Sequence, residues 1–166
     1  MKIVHGTLRD FHRYWRDAPW AEPQFAAYMD AGKAEFWYAR IGLRVVGRVY
    51  LFRELPDADA ADGIKRAYLC NLHVLERYRG RGIGSALLNR MADRAKELGF
   101  LELSIGVEEE NDANMRLYQR MGYLDLVKSV TEDLICVKNA DGNSSACGAY
   151  PVSYTHLRAH ETVLDL

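Results

Sequence analysis

The run Glu76 to Ser85, ERYRGRGIGS, constrains this chain more than any other segment. It is preceded by Lys65 to Leu75, an apolar stretch with few charges that reads as a central strand covered on both faces. It leads straight into an amphipathic helix. Ile83, Leu87, Leu88, Met91, Ala95 and Leu98 recur at helical spacing, with Asn89, Arg90, Asp93, Arg94, Lys96 and Glu97 on the other face. Gly99 ends that helix. A strand, a glycine-rich turn and a helix start in succession place unpaired backbone N–H groups, and roughly half a positive charge, at the turn. Glycines admit a phosphate close to that backbone, and Arg77, Arg79 and Arg81 add charge. The expectation is a pyrophosphate site. It must be local, because 22 basic and 23 acidic residues leave a net charge of −1, without the basic excess of a general nucleic-acid binder.

Two familiar phosphate loops do not fit. A Walker-type loop ends in Gly-Lys-Ser/Thr, and Ile83-Gly84-Ser85 supplies no lysine. A dinucleotide fingerprint counted from Gly80 meets Ser85 where its last glycine belongs, and Glu102 lies within a strand rather than at its end.

The surrounding pattern predicts a mixed α/β layer built on one βαβ unit. Lys2 to His5 reads as a strand, and Thr7 caps a helix running to Trp15. Pro19 and Pro23 introduce a second helix, Glu22 to Ala31. Glu35 to Arg40 and Arg44 to Phe52 form a hairpin through Ile41-Gly42-Leu43. Pro56 to Gly63 is a loop. Leu101 to Val107 alternates as a strand, Asn111 or Asp112 caps a helix to Met121, and Leu124 to Val130 is a further strand. The next strand is placed at Leu134 to Val137 or at Ala149 to Ser153. The last residues, Pro151 to Leu166, show neither a helical nor a strand period. They resemble the translation of a sequencing adaptor, so a native domain over 1–150 and a foreign tail over 151–166 are expected, with His156 and His160 set aside. No apolar run is long enough to span a membrane and no signal-peptide core opens the chain, which points to the cytoplasm. Cys70, Cys136 and Cys147 follow no metal spacing, so a reduced compartment and no metal are expected.

Arg79-x-x-Gly82-x-Gly84 resembles the signature of the GNAT superfamily of acyl-CoA-dependent N-acetyltransferases. Val107, Asn111, Leu117, Tyr118, Gly122 and Tyr123 are similar to that family's second motif; Asn114 stands where it commonly has alanine. The motifs cover about residues 68 to 123, and the element order about residues 1 to 130. The resemblance implies the GNAT fold, a mostly antiparallel mixed sheet whose fourth and fifth strands splay, flanked by helices. It implies acetyl-CoA as co-substrate. Leu72, His73 and Val74 would pair with the pantetheine arm as an added strand does. Arg79, Gly80, Arg81, Gly82, Ile83, Gly84 and Ser85 would hold the pyrophosphate, with Asn111 and Asn114 on the pantetheine or adenosine side.

The implied reaction is direct attack by an amine of a small molecule or peptide on the acetyl thioester. No nucleic acid or membrane is involved, and the chain is a monomer or homodimer. A backbone N–H at Val74 would serve the carbonyl oxygen, and Tyr118 would act as general acid toward the leaving thiolate. Full proton transfer from a phenol near 10 to a thiolate near 8.5 is uphill by about 2 kcal/mol, so a hydrogen bond or desolvation must contribute. An alkyl ammonium is neutral in only about one molecule in 2,500 at pH 7, so a base is useful. Tyr68 and Cys70 occupy the positions where the family often carries Glu or His; His73, Glu76, Glu54 and Asp62 are nearby, and the choice stays open. Cys70 has no activating partner at a recognisable spacing and reads as a small hydrophobe.

Trp15, Trp20, Phe25, Tyr28, Trp37 and Tyr38 are acceptor-pocket candidates that serve equally as core. Asp57, Asp59 and Asp62 would attract a polycation or simply form a solvated loop. Two other functions fit parts of the pattern. A non-catalytic acyl-CoA sensor of the same fold would bind without releasing thiol. A nucleotide phosphotransferase would need magnesium and the missing Walker lysine.

Overall fold

A computed structural model describes residues 1–108, 112–123, 125–132 and 152–159. The chain runs β1 (Lys2–Gly6), α1 (Leu8–Tyr14), α2 (Glu22–Asp30), β2 (Ala34–Ile41), β3 (Arg44–Phe52), β4 (Arg66–Val74), α3 (Ile83–Glu97), β5 (Glu102–Glu108), α4 (Asp112–Arg120), β6 (Asp125–Glu132) and β7 (Val152–Ala159). One sheet has the order β1-β2-β3-β4-β5-β7-β6. Only β4 and β5 run parallel, as a strand–helix–strand crossover requires; every other neighbouring pair is antiparallel.

Local chemistry sets the element ends. Thr7 Oγ1 accepts from the Asp10 N–H (3.2 Å), while Asp10 Oδ2 accepts from the Thr7 N–H (3.0 Å), so α1 begins on a reciprocal cap. Pro23 in the first turn starts α2, which ends before Gly32. The β2–β3 hairpin turns at Gly42, with φ of +58°.

The two faces of the sheet are packed differently. On one, α1 and α2 lay Phe11, Trp15 and Phe25 against Phe36, Tyr38, Tyr50 and Phe52, an aromatic layer with edge-to-face contacts such as Phe25–Tyr50 at 5.0 Å. On the other, the apolar stripe of α3 (Ile83, Leu87, Leu88, Met91, Ala95) meets Val46, Val49, Leu51, Leu69 and Ile105, with Tyr118 of α4 alongside. The acceptor-pocket aromatics are therefore mostly core. Trp37 belongs to the α3 side, under Arg90 at 4.6 Å, and Trp20 is exposed.

The tail departs from expectation. Residues 152–159 form β7, in register with β5 from Leu103↔Ala159 to Glu108↔Tyr154 and with β6 from Asp125↔Arg158 to Glu132↔Val152. Val152, Tyr154, Thr155 and Leu157 favour a strand individually, and polar and apolar residues alternate over 152–155 and again over 156–159, but the phase slips between Thr155 and His156, so no single period-two signal runs through the segment. Ladders on both edges supply the order that patterning does not. Of the earlier candidates for this strand, Ala149 to Ser153 overlaps its start and Leu134 to Val137 lies outside the described residues.

Candidate active site

The βαβ unit opens at one end. Parallel pairing of β4 with β5 runs from Arg66↔Glu102 to Leu69↔Ile105 and then stops. Beyond it, Gly106, Val107 and Glu108 pair with β7, and Cys70 to Val74 lose their β5 neighbour. The closed end is held by ion pairs: Glu102, nearly buried, accepts from Arg66 Nε and Lys65 Nζ, both at 2.8 Å. Tyr68 stands where the strands diverge. A Cβ at Gly106 would collide with its hydroxyl, so only glycine lets the ring lie across the opening.

A bulge reorients the open half of β4. Tyr50 pairs with Cys70 and Arg48 with His73, so β4 advances one residue further than β3 between the two pairs. Asn71 takes up the extra residue at φ +51°. Leu72 and Val74 consequently pack on the α3 side and Cys70 on the α1–α2 side. Alternation sends His73 to the α1–α2 side too. The Leu75 N–H donates to Val46 O (2.9 Å), which by strand alternation turns the Val74 N–H away from β3, toward the open edge.

A cleft of about 670 Å³ fills the splay. It reaches from Asp17, Arg48 and Cys70, past Leu72, His73 and Val74, to Arg79, Gly80, Gly82, Ile83, Gly84 and Ser85, with Asn114, Tyr118 and Arg120 along α4. Gly82 is the residue before α3 and sits in the left-handed region (φ +76°) without capping it by a side chain, so the first N–H groups of α3 face the cleft. At Gly84 a Cβ would meet Leu117 at 3.4 Å, an ordinary contact. Arg79 Nε donates to Val74 O (3.0 Å), tying the turn to the strand end.

Of the expected site residues, Arg81 does not line the cleft: it lies over the Tyr78 ring at 5.4 Å, opposite Arg77 at 5.2 Å. Asn111 lies outside the described residues. Glu54 and Asp62 leave the list of candidate bases. Glu54 pairs with Lys33 at 2.9 Å. Burial pushes the Asp62 carboxyl up, but the N–H groups of Arg66, Ile64 and Lys65 bring it below its ordinary value and occupy it as a loop anchor. Glu76 does not reach the cleft. Sequence reasoning missed Asp17, Arg48 and Arg120, which lie far from the motifs along the chain or carry no pattern of their own.

Electrostatics separates the titratable groups in the cleft. Burial pushes the Tyr118 phenol and the Cys70 thiol well above their ordinary ranges. Cys70 is therefore not an activated nucleophile. His73 moves down, through burial first and then through Arg48 and Arg79, opposed by Asp17, so its imidazole is neutral at pH 7. Asp17 Oδ1 accepts from Arg48 Nη2 at 2.7 Å, while Asp17 Oδ2 and Arg48 Nε are buried without a hydrogen-bond partner among the described residues.

A splayed parallel strand pair with an uncapped helix start beside it opens a strand edge and helix N–H groups onto one cleft. The sequence signature of the Acetyltransferase (GNAT) family matches residues 2–123, and the chain belongs to that family. It is 32% identical over 97 residues to N-acetyltransferase 8F1 of Rattus norvegicus, covering 58% of this chain and 42% of that protein. It is 29% identical over 129 residues to an uncharacterized N-acetyltransferase of Methanocaldococcus jannaschii, covering 74% and 54%. The chain thus spans about half the length of the curated relatives it matches. A GNAT family acetyltransferase from Elizabethkingia anophelis with acetyl-CoA bound shares the fold at a TM-score of 0.62 and 18% identity, over 96% of this chain and 97% of that one. Among the described residues no helix is long and apolar enough to cross a membrane.

Proposed function

We propose that this chain transfers the acetyl group of acetyl-CoA to a primary amine of a small molecule or peptide by direct attack. The observation that carries this reading is the continuity of one cleft from the uncapped start of α3, through the splay, to a polar end at His73 and Asp17. Acetyl-CoA supplies the activated acetyl thioester. Backbone N–H groups at Gly82 to Ser85, with Arg79, suit its pyrophosphate. The open edge of Leu72 to Val74 suits the pantetheine amides. Solved structures of the same fold carry acetyl-CoA, which supports the assignment.

The Val74 N–H, aimed at the open edge, donates to the carbonyl oxygen as charge gathers there. His73, neutral and on the cleft wall, takes the proton that the attacking ammonium must lose. A new C–N bond replaces the C–S bond, Tyr118 donates its proton to the departing sulfur, and the second proton, shed by the nitrogen as the amide forms, restores the phenol. Burial makes the phenol a weaker acid, which in isolation widens the gap to a thiolate. A hydrogen bond to the sulfur as its charge develops is therefore what Tyr118 supplies first.

A thiol-release assay with acetyl-CoA and a panel of amines tests the reading. Turnover with at least one amine is expected. Binding of acetyl-CoA without release against the whole panel would instead make the protein an acyl-CoA sensor. Tyr118→Phe should lower kcat by about a hundredfold and leave acetyl-CoA affinity within about twofold; unchanged turnover removes Tyr118 from the mechanism.

A further inference from the structure

A second concavity, of about 300 Å³, adjoins the cleft and shares Arg48 and His73 with it. Its charged lining is Arg16 from the segment after α1, Arg44 and Arg48 from β3, and Arg77 from the turn after β4, with no carboxylate among them. Four arginines thus border one small groove of a chain whose net charge is −1. Like charges brought together repel, and the described structure does little to offset them. The groove's ion pair among the described residues is Arg48 with Asp17, at the boundary with the cleft. Arg16 donates to the Arg13 and Trp15 carbonyls, and Arg77 lies over Tyr78. Such a lining is built to meet an anion. It adjoins the cleft at Arg48 and His73, where Arg48 holds Asp17. The anion it suits therefore belongs to the acceptor and not to the pyrophosphate.

The junction carries the complementary group. Asp17 is the carboxylate of the cleft lining. Arg48 holds its Oδ1, and its Oδ2 is buried with no hydrogen-bond partner among the described residues. The buried Tyr50 hydroxyl is likewise without one. We propose that the acceptor is an amine that also bears an anionic group, carboxylate or phosphate, with the anion in the Arg16–Arg44–Arg48–Arg77 groove and the amino group at the junction, facing Asp17 and His73. This rests on the acetyl-transfer reading above and narrows its acceptor to amino acids in the broad sense. Polycations such as polyamines are excluded, because the groove repels them.

Matched pairs of acceptors test the inference in the thiol-release assay. Phosphoethanolamine against ethanolamine reads a phosphate, 3-aminopropanoate against propylamine reads a carboxylate, aspartyl-alanine against lysyl-alanine reads an acidic peptide end, and spermidine reads a polycation. At least one anionic member should exceed its partner in kcat/KM by about tenfold or more. That preference should shrink by about fivefold or more in Arg44→Gln and also on raising salt, with acetyl-CoA affinity in the variant within about twofold. Arg44 is exposed, so the substitution leaves the core intact. Preference for spermidine or for the partners that lack the added anionic group overturns the inference and leaves acetyl transfer standing, as does a preference unmoved by Arg44→Gln. An Arg44→Gln effect confined to acetyl-CoA binding reassigns the groove to the cofactor and overturns it equally. Release with no amine at all defeats the acetyl-transfer reading and the inference with it.

Discussion

Carboxylates at the two ends of this sheet have opposite fates. Around the closed part, Glu35 takes hydrogen bonds from Arg94, Arg53 and the Trp37 indole, and Glu102 from Arg66 and Lys65. Both are saturated by their own chain. At the open end Asp17 has one oxygen held by Arg48 and the other without a partner among the described residues. A carboxylate whose partners are all internal is part of the architecture. One that keeps a buried oxygen free carries a desolvation cost which only an incoming donor offsets. The contrast separates the part of the sheet that must not move from the part that must receive something.

The largest effect expected is at the saturated end. Glu35→Gln leaves Arg94 and Arg53 facing a neutral amide in a buried spot. Breaking such a pair costs about 3 kcal/mol, at the low end of its range because both guanidiniums reach solvent. Urea unfolding should show that loss, while acetyl-CoA affinity stays within about twofold. A stability change below about 1 kcal/mol would mean that saturation there is ornamental.

Acid should reproduce the same loss without mutation. Burial by itself raises the Glu35 pKa, but hydrogen bonds from Arg94, Arg53 and Trp37 outweigh it and bring it to about 2, from an ordinary 4.5. With the folded pKa below the unfolded one, the carboxylate's contribution is complete above about 4.5 and disappears as pH falls through about 2. The stability gap between the wild-type chain and Glu35→Gln should therefore close across that window. A gap that persists unchanged at pH 2 would locate the effect of the substitution in packing.

Legibility in sequence followed distance along the chain and not the end of the sheet. The Thr7–Asp10 cap, the Gly42 hairpin, the stripe of α3 and the Arg79–Ser85 turn are local patterns, each spanning a few residues that interact with one another. Most residues of that turn line the cleft, Arg81 being the exception, set over the Tyr78 ring. Asp17, Arg44 and Arg48 belong to no motif. They reach the cleft and its adjoining groove only through the β3–β4 register and the segment after α1, and the bulge at Asn71 decides which face His73 takes. One residue of slip there would exchange the two faces, and no local pattern announces it. β7 was hidden for a related reason: its order comes from two neighbouring strands and not from its own alternation.

Gly82→Ala gives an intermediate effect and sits on the boundary between the two regions. The backbone there holds φ at +76°, with open space where a Cβ would go, so the cost is conformational and not steric. About 1 kcal/mol of stability should be lost, and acetyl-CoA affinity should fall by about tenfold as the first turn of α3 shifts. Unchanged affinity would mean that those N–H groups do not hold the pyrophosphate.

The smallest stability effect and the most selective kinetic one are expected at Asp17. Its side chain is partly exposed, as is that of Arg48, so Asp17→Asn should cost about 1 kcal/mol or less. The amide keeps the shape and one acceptor oxygen for Arg48 but removes the charge that an ammonium would meet. KM for the amine should rise by about fivefold or more at neutral pH, with kcat changed much less and acetyl-CoA affinity within about twofold. The same substitution removes the negative charge that opposes the depression of His73. The acid limb of kcat/KM should then move to lower pH, since His73 stays neutral further down. A purely structural role for Asp17 would lower stability and leave both the KM and the position of that limb where they were, and the contrast between saturated and unsaturated carboxylates would then carry no functional meaning.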